Sequence, residues 1–392
     1  MMINFEWASA VVFLLLLTIF VILKRKSFKF QHIIKIGKLP LVYIVMMRTQ
    51  VGIKLMEKWG AKYREIIKFL GYCGVGFGFF GLIFIFFSLF QNIYIIFTQP
   101  QAVAGVQLAL PGLSLPGVGV LTFWYWIISI FVLAVVHEFS HGVVSAAHNL
   151  KVKNSGPAIF GVIIPFIPAA YVEPDEKDML KREDIVQYSI YAAGPMSNVV
   201  LGILLFIFLA VLFVPIEKSN SEEIGFSFIA NDEKYPAYEF FRERTVLNKV
   251  NGEEMSNAQE FIDYMQYVKP GDNLVFANDE KEYKIIATEN PSNPKKGFIG
   301  VVDIKNERKW YSDMFENIFV WFRDLFKWMA LLNIFIGIAN LLPIGPVDGG
   351  QMLRTLLLKV FKDEKKAMKW FGFISLLTVV LILAGLLLPM TV

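Results

Sequence analysis

The run Val135-Val136-His137-Glu138-Phe139-Ser140-His141-Gly142 places two imidazoles four residues apart, with a carboxylate beside the first. On a helix, positions i and i+4 share a face, so both rings can reach one ion. The neighbouring Glu138 is then placed to act as a base toward water. Zinc in a hydrolytic site usually takes three protein ligands and keeps one position open. His137 and His141 supply two, so the third must come from elsewhere. His148, seven residues past His141, lies too far along the same face to join that ion and reads as interfacial.

Asp348 is the candidate third ligand. It is the only carboxylate between Asp324 and Asp363, within Asn340-Leu341-Leu342-Pro343-Ile344-Gly345-Pro346-Val347-Asp348-Gly349-Gly350. Such a helix-breaking loop can swing a carboxylate onto a metal. The other use of Asp348 is to cap a helix starting at Gly349. The histidine pair has alternatives too, as a proton relay or an inter-helix hydrogen-bond cluster. An ionisable residue near the bilayer centre costs about 2.5–3.5 kcal/mol on insertion scales. Two histidines and a glutamate within five residues of an apolar run therefore call for a use.

The surrounding composition is that of an integral membrane protein. Of 392 residues, 55% are hydrophobic and 18% charged, against roughly 45–50% and about 25% in soluble domains. The surplus collects in six runs long enough to span a bilayer: 6–23, 70–97, 121–148, 185–214, 321–345 and 370–390. Met1 to Trp7 carry no basic cluster, whereas Lys24-Arg25-Lys26 follow the first run, so 6–23 reads as a retained helix and not a cleaved leader. The net charge is +4 and no basic stripe is interleaved with aromatics, which argues against nucleic acid. The single cysteine, Cys73, excludes an internal disulfide and a cysteine-built metal site.

Lysine and arginine orient the loops. Segments 24–69, 149–183 and 354–369 are basic and read as cytoplasmic; 98–120 has no lysine or arginine and reads as outside. Both termini then lie outside, with the histidine pair and Asp348 near the cytoplasmic face. Arg308, Lys309, Arg323 and Lys327 run against this scheme, beside a large translocated segment where the rule weakens. Segment 36–69 reads as an interfacial amphipathic helix or a cytoplasmic linker helix. Segment 156–172 is apolar but broken by Pro165 and Pro168, so it reads as a re-entrant extended stretch or a proline-rich surface loop.

Residues 217–310 are polar and strand-rich, with pieces at Gly225–Ala230, Thr245–Val250, Asn273–Ala277 and Tyr283–Ala287 and a helix at Asn257–Tyr267. The expected organisation is a first helix and amphipathic linker (1–69), a membrane core (70–216), an inserted α/β domain outside (217–310), and a returning membrane core (311–392). The fold class is thus an α-helical polytopic membrane protein of six spans with a small extracytoplasmic insert.

His137-Glu138-Phe139-Ser140-His141, together with Asn340-x-x-Pro343 and Asp348-Gly349, resembles the site-2 protease family of intramembrane zinc metalloproteases, of the PDZ-containing archaeal or bacterial type. Tyr191-Ala192-Ala193-Gly194-Pro195-Met196-Ser197-Asn198 and Ile167-Pro168-Ala169-Ala170-Tyr171-Val172-Glu173-Pro174 resemble further motifs of that family. The likeness covers about 120–350. It implies one zinc ion on His137, His141 and Asp348, with Glu138 as general base. Asn340 and Asn198 match asparagines that position substrate or stabilise the oxyanion, although inter-helix hydrogen bonding is their other use. The substrates implied are transmembrane segments of membrane proteins, cut within the cell membrane. The insert falls where many members carry a PDZ domain, and Thr245–Phe276 resembles the second half of one. It lacks a clear carboxylate-binding loop, for which Ile224-Gly225-Phe226-Ser227-Phe228 is the nearest stretch. A membrane scaffold with a structural zinc site and a proton or ion transporter are the rival classes. The glutamate beside His137 favours the enzyme over the first, and the absence of repeated halves disfavours the second.

Overall fold

The computed structural model describes residues 2–36, 39–98, 105–115, 118–230, 232–291 and 293–388. The chain divides into two units: one comprises the residues up to 113, 121–207 and 324 onward, the other 114–120 and 208–323.

The first unit opens with helix α1 (Met2–Leu23). The stretch expected as one amphipathic helix over 36–69 is different: strands β1 (Phe28–Ile36) and β2 (Leu39–Met47) form a hairpin, and only α2 (Ile53–Lys62) is a separate helix before α3 (Arg64–Thr98). The reason is a distant partner. β2 pairs antiparallel with β3 (Val152–Val162), matching Val42 with Val162 and Val45 with Ile159, and β-branched residues suit that pleated surface. In α2, Ile53, Met56 and Gly60 are buried while Lys54, Glu57 and Lys58 are exposed, so its amphipathic character is real but short.

Helix α4 (Phe123–Ala147) carries the histidine pair. Its first turn is tied to α1: Phe123 N donates to Glu6 Oε1 at 2.5 Å, and Trp124 Nε1 to Ser9 Oγ at 2.9 Å. The proline-broken segment is a hairpin of β3 and β4 (Ile164–Pro174), in a sheet of order β1-β2-β3-β4. β4 is its edge, the position where Pro165 and Pro168 do least harm to a ladder. At the hairpin's base Lys153 Nζ lies 2.9 Å from Asp175 Oδ1, and this hydrogen-bonded ammonium holds the Asp175 carboxyl below its ordinary range. Helix α5 (Asp184–Phe208) follows, with Pro195 inside it.

The second unit contributes β5 (Ser221–Ala230), α6 (Ala258–Met265), β6 (Asn273–Ala277), β7 (Glu282–Ile286) and β8 (Val301–Trp310). β6 pairs with β7 on one side and with Lys249–Val250 on the other. The strand pieces and helix read from the sequence are present with shifted ends, but β8 and a hairpin of Thr288–Asn290 with Asn293–Phe298 were not foreseen. The core is aromatic: Phe226, Phe228, Phe241, Phe261 and Phe276 are all buried, and Phe226 stacks on Phe261 at 4.5 Å. Fully burying one phenylalanine contributes about 1.5–3 kcal/mol.

The chain leaves this unit through α7 (Asp313–Ala339), then forms α8 (Asp348–Phe361) and α9 (Glu364–Leu387). Among the described residues five helical stretches are long and apolar enough to cross a bilayer: Glu6–Leu23, Arg64–Thr98, Phe123–Ala147, Asp184–Asn220 and Glu364–Leu387. The one expected span missing from these, the fifth at 321–345, is helical only to Ala339 and is less apolar in its first turns, because Arg323, Asp324 and Lys327 charge them. On α3, Phe80, Ile83, Phe84 and Phe87 are exposed, a face that hydrocarbon and not water must cover. Its opposite face is a ladder of small residues: Gly71, Gly74, Gly78 and Gly81 are buried against Ser189, Ala192, Met352 and Leu341 respectively. That close approach seats the loop before α8. The chain is a multi-pass membrane protein.

Candidate metal centre

The centre is assembled from α4, α5 and the start of α8. α4 presents His137 and His141 on one face, with ring centroids 4.7 Å apart and both rings buried. Opposite them, the chain leaves α7 at Asn340 and turns through 340–347. Gly349 N donates to the Asn340 carbonyl at 2.8 Å and closes that turn. α8 begins at Asp348 itself, with Val347 as N-cap, so the Asp348 side chain is released from the capping role. It points between the imidazoles: Oδ2 is 3.0 Å from His137 Nε2 and Oδ1 is 3.4 Å from His141 Nε2. Among the described residues this is the one group of three or more His, Cys, Asp or Glu whose ligand atoms lie within 4.8 Å of one another.

The groups behind the rings decide whether the cluster suits an ion. A carbonyl only accepts, so the 2.6 Å contact of His141 Nδ1 with the Ile190 carbonyl places the ring proton on Nδ1 and leaves the Nε2 lone pair free. His137 Nδ1 faces Asn198 Nδ2 at 3.1 Å, while Asn198 Oδ1 is buried without a partner among the described residues. A half-turn of the Asn198 amide satisfies that oxygen with the Nδ1 proton and frees His137 Nε2 as well. Space fits too. A Cβ on Gly194 would lie 2.5 Å from His137 Nε2 and 2.6 Å from His141 Nε2, so a glycine there keeps the ligand nitrogens uncrowded. Two neutral imidazoles and a carboxylate form a donor set suited to zinc.

Glu138, next to the first histidine, is held apart from the ligand atoms. Its Oε2 accepts from the Val172 backbone N–H of edge strand β4 at 2.9 Å. The sequence brought forward six residues, and the structure draws five together: His137, His141, Asp348, Glu138 beside them and Asn198 behind His137. Asn340 is half-buried and contributes a backbone carbonyl to the turn that sets Asp348. His148 stays out of the group, with Nε2 3.2 Å from Ser189 Oγ. Gly194, Ile190 and Val172 were not foreseen as partners of the site. For Gly194 the signal was its place four residues before Asn198, one turn along the same helical face.

The Asn198 contact carries a prediction. Asn198→Ala is expected to weaken zinc affinity by about 10–100-fold, the usual cost of losing a group that orients a ligand imidazole. Competition with a chromophoric chelator measures it, and an unchanged affinity would show that the asparagine only packs.

A histidine pair on a buried helix, a carboxylate meeting it from another segment and a glutamate alongside define a membrane-embedded metallopeptidase. The model of peptidase family M50 matches residues 125–383, and the chain belongs to that family, the site-2 proteases. It is also 25% identical over 311 residues to an uncharacterized protein of Methanocaldococcus jannaschii, covering 78% of this chain and 75% of that protein.

Proposed function

We propose that the chain is a zinc endopeptidase that hydrolyses peptide bonds within transmembrane segments of membrane proteins, in regulated intramembrane proteolysis. The observation that carries the reading is the meeting of His137, His141 and Asp348 with Glu138 next to them, on a helix apolar enough to cross a bilayer. His137, His141 and Asp348 would hold one zinc ion. When bound, zinc acts as a Lewis acid on the scissile carbonyl and brings the pKa of water to about 7.

The protein's own groups do the rest. Glu138 takes the proton of the attacking water at a carboxylate oxygen and returns it to the leaving amine. Val172 N–H holds Oε2 in place for both transfers. Ile190 and Asn198 keep the imidazoles in one tautomer, and Asn340 acts on the substrate side. A transmembrane helix has its carbonyls bonded internally, so the substrate must unwind before it can be cut. Edge strand β4, beside Glu138, offers the backbone groups on which an unwound stretch can pair. In the proposed orientation the site is near the cytoplasmic face of the cell membrane, water enters from that side, and the inserted unit, read as PDZ-like, lies outside. Incubating the purified protein with a panel of single-span membrane peptides, with and without a zinc chelator, tests the activity. Cleavage abolished by chelation is expected; no cleavage of any peptide by zinc-loaded protein, or cleavage indifferent to chelation, contradicts it.

A cavity of about 240 Å³ adjoins Glu138, lined by Met56, Phe131, Val135, Phe139, Ala169 and Val172 among others. Its walls are apolar and its size suits one large aliphatic or aromatic side chain next to the scissile bond. Val135→Trp is expected to cut the rate on substrates with leucine or phenylalanine there by on the order of 10–200-fold, and to spare those with alanine. Parallel kcat/KM measurements on the two substrates check this; an equal loss on both removes the cavity from the specificity argument.

A further inference from the structure

The spanning helices α3, α4 and α5 enclose an apolar cavity for which hydrolysis has no use. It measures about 300 Å³ and is lined by Ile67 and Gly71 of α3, Phe139 and Val143 of α4, and Ala193 and Val200 of α5, among others. Trp59 of α2 closes one side, edge-on to Phe139 with ring centroids 5.5 Å apart. The two hydroxyls in the lining are engaged by their own helices: Ser140 Oγ donates to the Val136 carbonyl and Ser197 Oγ to the Gly194 carbonyl, each at 2.8 Å. A cavity so poor in free polar groups does not hold water and suits hydrocarbon. Trp59, Leu70 and Val200 are exposed at its rim, so it opens toward the bilayer.

Cations gather at one end of this cavity. Arg64, Lys68 and Gly71 succeed one another on one face of α3, at spacings of four and three residues. Gly71 lines the cavity and lies against Ser189, whose Oγ is 3.2 Å from His148 Nε2. Burial, with the cations Lys68 and Arg182 close by, holds the His148 imidazole below its ordinary range, so both cations reach this corner. Arg64 Nη2 meets only the neutral amide of Asn149, at 2.7 Å. The Nε atoms of Arg64 and Arg182 are buried without a partner among the described residues. Asp178 takes one Nη of Arg182 at 3.1 Å, while Glu65, 3.5 Å from Lys68, is mostly in solvent and screened. The corner keeps an unbalanced positive charge beside an apolar slot.

We infer that the cavity between α3, α4 and α5 is a lipid site: one hydrocarbon chain of an anionic phospholipid fills it, and the lipid's phosphate rests on Arg64, Lys68 and Arg182. Basic pockets between membrane helices recognise anionic headgroups in this way. In the proposed orientation the lipid belongs to the cytoplasmic leaflet. Its contacts alternate along the chain with those of the metal centre: Phe139 and Ser140 lie between Glu138 and His141, and Ala193 precedes Gly194. A bound chain therefore backs the two helices whose close approach forms that centre. The inference rests on the membrane helices and not on hydrolysis, so it is tested without any cleavage.

The probe is phosphatidylglycerol with a diazirine at the end of one chain, present as a minor component of phosphatidylcholine nanodiscs that hold the purified full chain. After irradiation, peptide mass spectrometry is expected to find the label in 139–144 or 193–200. Phosphatidylcholine carrying the same diazirine chain should label those stretches about tenfold less, and Arg64→Gln with Lys68→Gln should lower phosphatidylglycerol labelling by about the same factor. Val143→Phe fills the cavity while leaving the cations, and should remove the label from 193–200. Excess free glycerol phosphate should not displace the label, because a headgroup alone leaves the slot empty. Should the double variant fail to fold, the comparison of the two lipids on the unaltered chain still decides. Equal labelling by the two lipids would mark ordinary boundary lipid, and displacement by glycerol phosphate would mark a headgroup site alone. Loss of label on adding a single-span membrane peptide would give the cavity to a helix of another protein. Each of these three results overturns the inference.

Discussion

Glu138→Gln is expected to lower cleavage of a single-span substrate by on the order of 10²–10⁴-fold while zinc content stays at the level of the unaltered protein. The expectation follows from where the carboxylate sits. Its oxygens are not among the three ligand atoms that converge, and Oε2 is instead engaged by Val172 N–H at 2.9 Å. A glutamine can still accept that hydrogen bond, so the edge strand and the metal ligands keep their places. What the amide cannot do is take a proton from water and hand it to a leaving amine. Mass-spectrometric detection of the two peptide fragments, beside metal analysis of the same sample, reads both halves. Retained activity would remove Glu138 from the proton transfers, and loss of metal would recast it as a ligand or a support of one.

Gly194→Ala is expected to reduce bound zinc to less than a tenth of an ion per chain and to take cleavage below detection. The added methyl would lie 2.5 Å from both Cε1 and Nε2 of His137 and 2.6 Å from Nε2 of His141, distances that real side-chain carbons do not tolerate. Either α5 must draw back from α4 or the rings must turn, and both outcomes spoil a three-ligand site that needs its donors placed to within a fraction of an ångström. Gly76→Ala is the matched control: it too is a helical glycine, but an exposed one, with no atom within 4 Å of the added carbon. Zinc content and thermal unfolding of the two variants should diverge only in the first measure. If Gly194→Ala keeps its zinc, the close approach of α5 is packing alone.

How much of this was legible in the sequence depended on the range of the interactions. His137 and His141 announce themselves because a four-residue spacing becomes shared direction as soon as the segment is helical. Asp348 stood out as a lone carboxylate in a stretch broken by prolines and glycines, and the structure resolves its two possible uses by starting α8 one residue earlier than a cap at that position requires. Asn198 was marked as a polar residue on a membrane helix, but not that it would stand behind His137. The β1–β2 hairpin was hidden because its stability comes from β3, far along the chain, and locally 36–69 has the mixture of cations and apolar residues that also suits an interfacial helix. β8 was hidden for the related reason that its charges find their partners on β5 and Arg244, so nothing in its own ten residues alternates cleanly. The second half of α7 is apolar and the first half is not, which is why a hydropathy reading alone began a span at 321 and overran the helix end at Ala339.

The family match and the geometry both point to the His137, His141 and Asp348 group, and the most direct measurement is the stoichiometry and chemical surroundings of the metal the protein carries. Metal analysis of the purified full chain, with X-ray absorption at the zinc edge, is predicted to find one zinc per chain bound by nitrogen and oxygen donors, including two imidazoles. In Asp348→Ala the bound zinc should fall well below one per chain. A fully loaded Asp348→Ala variant, or zinc coordinated through sulfur, would contradict the account.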